Sequence, residues 1–100
     1  MINIHWSNRV FDDILTIKAY IAQSSEALAE AFVENVFQKV DILKTFPQIG
    51  RIVPEFNRPD IRELIYKPYR IVYRIKSEEK ITIVTIRHSS QTMTYESIYE

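Results

Sequence analysis

Three apolar runs rich in β-branched residues crowd into the segment from Ile61 to His88, which reads IRELIYKPYRIVYRIKSEEKITIVTIRH. Lys67-Pro68 and Ser77-Glu78-Glu79-Lys80 separate them, and both breaks suit tight turns, so the pattern predicts a three-stranded antiparallel meander. In the middle run Ile71, Tyr73 and Ile75 point one way and Arg70, Val72 and Arg74 the other, because successive strand side chains alternate faces. One face is therefore expected to be core and the other to carry guanidinium groups. The third run, Ile81 to Ile86, is apolar on both faces apart from Thr82 and Thr85, which places it inside the sheet with a neighbour on each side.

Before the meander the period changes twice. Ile2, Ile4 and Trp6 alternate with Asn3 and His5, as in a half-buried strand. Ser7 offers an N-cap, and from Asn8 to about Gln23 the apolar residues Val10, Ile14, Ile17 and Ile21 fall on one helical stripe. Asp12 and Asp13 lie early in this helix, where the macrodipole favours negative charge. Ser24-Ser25 interrupts the pattern and caps a second helix with the stripe Leu28, Phe32, Val36, Val40 and Leu43. Pro47 closes it, since the residue before a proline resists the α conformation. The short link predicts an antiparallel helical hairpin.

The stretch TFPQIGRIVPEFNRPD, Thr45 to Asp60, holds three of the four prolines and the only glycine. It is expected to be a loop, with Gly50 at positive φ and Phe46, Ile49 and Phe56 pinning it to the core. The polar tail from Ser89 to Glu100, carrying Met93, Tyr95, Ile98 and Tyr99, fits a short helix, a strand extension or a flexible, partner-binding end. The order is β-α-α-β-β-β, an N-terminal strand and an antiparallel helical hairpin packed on a mainly antiparallel sheet. The fold class is α+β in a single domain spanning residues 1–100.

Composition narrows the setting. The 46% hydrophobic and 26% charged residues fit a soluble globular chain and exclude disorder. The absence of cysteine excludes a disulfide framework and fits a reducing cytoplasm. No apolar run approaches the roughly 20 residues that span a bilayer, and the start MINIHWSN has no signal-peptide layout, so a cytoplasmic protein without a membrane partner is expected. The net charge of zero hides a split: residues 50–90 hold nine Lys/Arg against five Asp/Glu, and the remainder four against eight. A basic sheet half can meet RNA, DNA or an acidic protein; ordinary solvated strand faces account for the same count.

Few residues suggest catalysis. A single glycine excludes phosphate-binding loops, and two distant histidines without cysteine make a weak metal site, so no cofactor is expected. His5 reads as a surface strand residue. His88 ends the central run beside Arg87 and Ser89, where it is a candidate acid or base. No G-x-S-x-G elbow surrounds Ser89 or Ser90. For Arg70 two readings stand open, contact with a phosphate or an ion pair with Glu63 or Glu55 across the sheet. Tyr66, Tyr69 and Tyr73 read as core residues with their hydroxyls at the rim.

A helical hairpin ending in KTFPQIGRIVPE, then IRELIYKPYRIVYRI, then ITIVTIRHSSQ, resembles the ParE/RelE superfamily of bacterial type II toxins. The likeness runs from Asp12-Asp13-Ile14 through His88; F-P-x-x-G-R, R-E-L, Y-R-I-x-Y and the strand-end H-S occur in order. It implies the β-α-α-β-β-β fold, a cognate antitoxin (ParD-like or other) in a hetero-oligomer, and an inhibited cellular target, often in plasmid stabilisation. RelE-like members cut messenger RNA at the ribosome without metal, whereas ParE-like members poison DNA gyrase. Where RelE-like nucleases carry a further arginine after the last strand, this chain reads Ser89-Ser90-Gln91, and no lysine pair precedes the sheet. The resemblance is thus closer to ParE, with gyrase as the expected target. A nuclease would use Arg70, Arg87 and His88, while Arg51, Arg62, Arg70, Arg74, Arg87, His88, Met93 and Tyr95 are the candidates for contact with target or partner.

Overall fold

Ser7 turns a strand into a helix: its hydroxyl accepts from Val10 N–H at 3.0 Å and donates to the Val84 carbonyl at 2.8 Å. In the computed structural model, which describes residues 1–99, β1 (Asn3–Trp6) passes through this cap into α1 (Asn8–Ala22). A second serine cap, Ser25, accepts from Leu28 N–H and starts α2 (Glu26–Asp41). A 3₁₀ turn (Ile42–Lys44) leads to β2 (Arg51–Ile52), β3 (Ile61–Tyr66), β4 (Tyr69–Ser77), β5 (Lys80–His88) and α3 (Tyr95–Ile98). The sheet order is β1-β5-β4-β3-β2, with β1 parallel to β5 and the other pairs antiparallel. The architecture is α+β, the meander is present, and β5 lies between two neighbours as its two apolar faces require. β2 is an addition to the predicted order, α3 is the short helix among the readings of the tail, and Glu100, the end of that tail, lies outside the described residues.

The helical hairpin covers one face of the sheet. Val10, Ile14, Phe32, Val36, Val40 and Leu43 meet Ile71, Tyr73, Ile81, Ile83 and Ile86 in a closed core. Leu28, expected on the buried stripe, is exposed, and Ala29 is buried instead. The opposite face corrects the alternation argument. Val72 and Val84 are buried there with Val53, Ile61, Met93 and Ile98, because the segment after β2 and the tail fold back across β3, β4 and β5. A period of two shows that a face is different but not whether a distant segment will cover it.

A bulge explains why β5 reads as apolar throughout. Val72 faces Thr85 whereas Tyr73 faces Ile83, so Val84 is an extra residue and the parity of the strand flips. Ile83 and Ile86 consequently share the helix-side core. Asp13 holds the irregularity: its carboxylate accepts from the Thr85 hydroxyl at 2.5 Å and from Ile86 N–H at 3.1 Å. The macrodipole reading of Asp12 and Asp13 is not what the structure supports, since the first turn of α1 carries no acidic residue.

The loop before β3 is also held differently from expectation. Phe46 and Ile49 are 58% and 56% exposed, and polar groups do the pinning. The buried Tyr73 hydroxyl donates to Pro47 O at 2.9 Å and accepts from Gly50 N–H at 3.0 Å. Arg62 donates to the carbonyls of Gln48, Gly50 and Pro59. Positive φ falls on Asn57 (52°), a residue type that tolerates it, and not on Gly50. Gly50 is required by close approach: a Cβ there would lie 2.7 Å from the Glu63 carbonyl and from the Tyr73 ring. Gly50→Ala is therefore expected to destabilise the fold by about 1–3 kcal/mol, the usual cost of overpacking; an unchanged thermal melt would refute this account of the glycine.

Candidate functional site

Arg70 begins the second face of β4, and the sheet decides what it can reach. Ile65 is its direct partner on β3 and Arg87 its partner on β5. Glu63 sits on the diagonal, two residues along from Ile65 on the same face, within reach of a long side chain. The Arg70 Nε donates to Glu63 Oε1 at 2.5 Å, and its two Nη atoms donate to Glu55 at 2.8 and 2.7 Å. One Nη also reaches the Gln91 carbonyl at 3.3 Å. Glu63 accepts from Arg51 Nε as well, at 2.5 Å. Of the two open readings of Arg70, the ion pair is the one formed, with both carboxylates together. Arg70 and Glu63 are buried, unlike the near-surface pair that strand arginines usually make, whereas Glu55 lies at the rim.

This network fixes four segments at once. β2 supplies Arg51, β3 Glu63, β4 Arg70, and the intervening loop Glu55, whose Oε2 also accepts Met93 N–H from the tail at 3.1 Å. Two hydrogen bonds from a guanidinium hold the Glu55 carboxyl well below its ordinary value, at about 2, while Arg70 is pushed up by its two carboxylates. A cleft of about 500 Å³ opens beside the cluster, lined in part by Arg51, Glu55, Lys67, Tyr69 and Ser89. Arg51 is engaged by Glu63 and Arg70 by Glu63 and Glu55, which with the Gln91 carbonyl commit all but one of the Arg70 N–H groups; Lys67 forms no ion pair among the described residues.

The other expected residues do not assemble around it. Arg87 shares the face of Arg70, and its Nε is buried without a hydrogen-bond acceptor among the described residues. His88 pairs with Tyr69 and so points to the helix side, its ring 6.1 Å from that tyrosine, which in turn meets Phe32 of α2. Ser90 N–H donates to His88 Nδ1, which puts the proton of a neutral ring on Nε2. Arg70, Arg87 and His88 are thus split between two faces. Arg62 is taken up by the loop carbonyls, and Arg74 stacks over the Tyr99 ring at 4.5 Å. Met93 is 2% exposed beneath the sheet, while Tyr95 packs against Phe56 and remains half-exposed. Among the described residues no three His, Asp or Glu converge as metal ligands.

A model described as the ParE toxin of a type II toxin-antitoxin system, parDE, matches residues 4–93. The chain belongs to the ParE toxin family. It is 26% identical over 91 residues to Toxin RelE2 of Caulobacter vibrioides, covering 91% of this chain and 99% of that protein. Its fold is similar to a chain of the chromosomal ParDE toxin-antitoxin system from P. aeruginosa, with a TM-score of 0.71 and 22% identity over 88% of this chain and 96% of that one. Membership in a toxin-antitoxin family implies a cognate antitoxin for this ParE-family chain. Among the described residues no helix is long and apolar enough to cross a membrane.

Two measurements test the Arg70 network. Arg70→Ala strands the buried Glu63 carboxylate with one partner fewer, and breaking a buried pair in this way costs about 3–5 kcal/mol; a loss under about 1 kcal/mol in chemical denaturation would show that the cluster is peripheral. Glu55 has its folded-state value depressed, so its contribution is present above the unfolded value of 4.5 and is lost as pH falls through about 2. Acid titration over that window should remove about 1 kcal/mol of stability in the parent protein, since solvent reaches Glu55 and screens the pair, and show little of this slope in Glu55→Gln.

Proposed function

We propose that the protein is a ParE-type toxin that acts by binding DNA gyrase and is neutralised by its antitoxin, and not a messenger ribonuclease. The observation that carries this reading is the engagement of Arg70. A nuclease that uses the RNA's own 2′-hydroxyl needs a cation free to stabilise the phosphorane and an acid or base beside it. Here the central arginine is spent on Glu55 and Glu63, and His88 lies across the sheet from Arg70 and Arg87. The Ser89-Ser90-Gln91 ending supports the same reading.

The antitoxin has a suitable surface on the helical side. Trp6, Phe11 and Phe37 form a partly exposed aromatic cluster, with Phe37 4.7 Å from Trp6. Beside it a cleft of about 660 Å³ runs between the edge strand β1 and α2, lined by Ile2, Ile4, Trp6, Phe37 and Val40 among others. β1 is paired on one side only, so an extended segment can add to its free edge while an amphipathic helix covers the aromatic cluster.

Purified protein is expected to inhibit gyrase supercoiling or to trap cleaved DNA, and to leave cell-free translation intact. Ribosome-dependent cleavage of messenger RNA alongside fully active gyrase would replace this reading with a RelE-like endoribonuclease.

A further inference from the structure

On the sheet face opposite the helical hairpin, at the end where β4 turns into β5, a groove of about 370 Å³ is lined by His5, Arg74, Lys76, Lys80, Thr82 and Tyr99 among others. We propose that this groove binds the phosphodiester backbone of a nucleic acid.

The sheet register builds it. Thr82 is the direct partner of both His5 and Arg74, so three side chains from three adjacent strands stand in one row of about 10 Å, given the ordinary strand spacing. A register shift between Ile75 and Ser77 makes Lys76 an extra residue beside this row, and Lys80 pairs with Ser77 across the same turn. Arg74, Lys76 and Lys80 thus concentrate positive charge on one small surface. No carboxylate lines the groove, and none of the three cations takes part in an ion pair among the described residues. Elsewhere on this face Arg51 and Arg70 are neutralised by Glu63 and Glu55, and Arg58 by Asp60, while Arg87 stands alone, with no second cation lacking a carboxylate grouped beside it among the described residues. Unbalanced like charges held together repel one another, and an anion relieves that repulsion.

Arg74 gives the groove its chemistry. Its guanidinium lies 4.5 Å over the Tyr99 ring, and its Nε is buried with no hydrogen-bond acceptor among the described residues. Tyr99 is itself fixed by Arg58 Nη1, which donates to its hydroxyl at 3.2 Å. Stacking on an aromatic face orients the planar guanidinium and leaves its edge for oxyanions. The lysines add point charges beside it, and the 38% exposed Tyr99 adds a stacking surface. An acidic peptide fits less well. The apolar members of the lining, Val84 and Ile98, are buried beneath it, so a peptide would find no pocket for an anchoring side chain.

The test uses the full chain with fluorescein-labelled 20-nucleotide single-stranded DNA and RNA of the same sequence, read by fluorescence anisotropy. No gyrase is present, so the result stands apart from the target reading above. Three phosphate contacts predict a slope of about −2 in log affinity against log salt, a loss of about 15-fold between 50 and 200 mM. Lys76→Ala with Lys80→Ala, both exposed positions, should melt like the parent, weaken binding about tenfold or more and lower the slope to below about −1 in magnitude. Lys18→Ala with Lys44→Ala, which removes the same charge from the helical layer, should bind like the parent. DNA and RNA should bind alike, since the contact is to phosphate. Absence of binding at 50 mM salt, an unaffected Lys76/Lys80 double variant, a strong preference for RNA or DNA, or tighter binding of a poly-glutamate peptide of equal charge would each overturn the proposal.

Discussion

Glu63 is a carboxylate with 1% of its surface exposed, and the second face of this protein is arranged around giving it partners there. Burying a charge without partners costs several kcal/mol, so arginines must come to it from both sides. Arg51 arrives on the two-residue β2 and Arg70 on β4. Arg70 in turn needs a second carboxylate because Arg87 stands directly opposite, and Glu55 fills that place. Glu55 then takes the Met93 amide, which draws the tail over Val72 and Val84. One buried charge thereby sets the position of a loop and of the chain's last helix. An all-apolar replacement of the cluster can match it in stability, so its contribution is read more securely as register: each partner fits in one alignment only.

The same network shows why part of the fold was legible in the sequence and part was not. Local signals survived: Ser7 and Ser25 cap because a hydroxyl three residues before an amide is a short-range device, and the meander follows from β-branched runs and turns. Alternation placed Arg70, Val72 and Arg74 on one face but could not give the burial of Val72, which depends on Val53 and Ile98, far away in sequence. Gly50 was recognised as special for the wrong reason, since a ring 23 residues further on leaves no room for a Cβ. Phe46 and Ile49 looked like anchors because aromatic and aliphatic residues usually are; Tyr73 and Arg62 hold the loop through its carbonyls instead. The bulge at Val84 left no trace beyond apolar residues on both faces of the run.

For the candidate site, the residue types were legible and their faces were not. Arg70, Arg87 and His88 are close in sequence register, but the sheet assigns His88 to the helical side and the arginines to the other. Proximity at a strand end carries no information about convergence until parity is known, and the bulge changes that parity between Ile83 and Ile86. Glu63 and Glu55 were visible as possible partners of Arg70, and what the sequence could not supply was that both are used together.

β1 connects the two surfaces proposed for binding. Its alternation sends Ile4 and Trp6 toward the cleft against α2 and His5 toward the cationic groove. Ser7 anchors the end of the strand to Val84 at the bulge, and the Asn3 amide is held by the Glu79 carbonyl in the β4–β5 turn at 2.7 Å. A segment that adds to the free edge of β1 would therefore restrain the strand whose opposite face carries His5, and through the Asn3 contact it would restrain the turn that carries Lys80. Such coupling requires differential interaction with two arrangements of β1. The hydrogen bonds at both ends of a four-residue strand favour a single arrangement, so the antitoxin and a nucleic acid would meet here as two ligands of one rigid element, coupled mainly through the charge that the antitoxin itself brings to the edge.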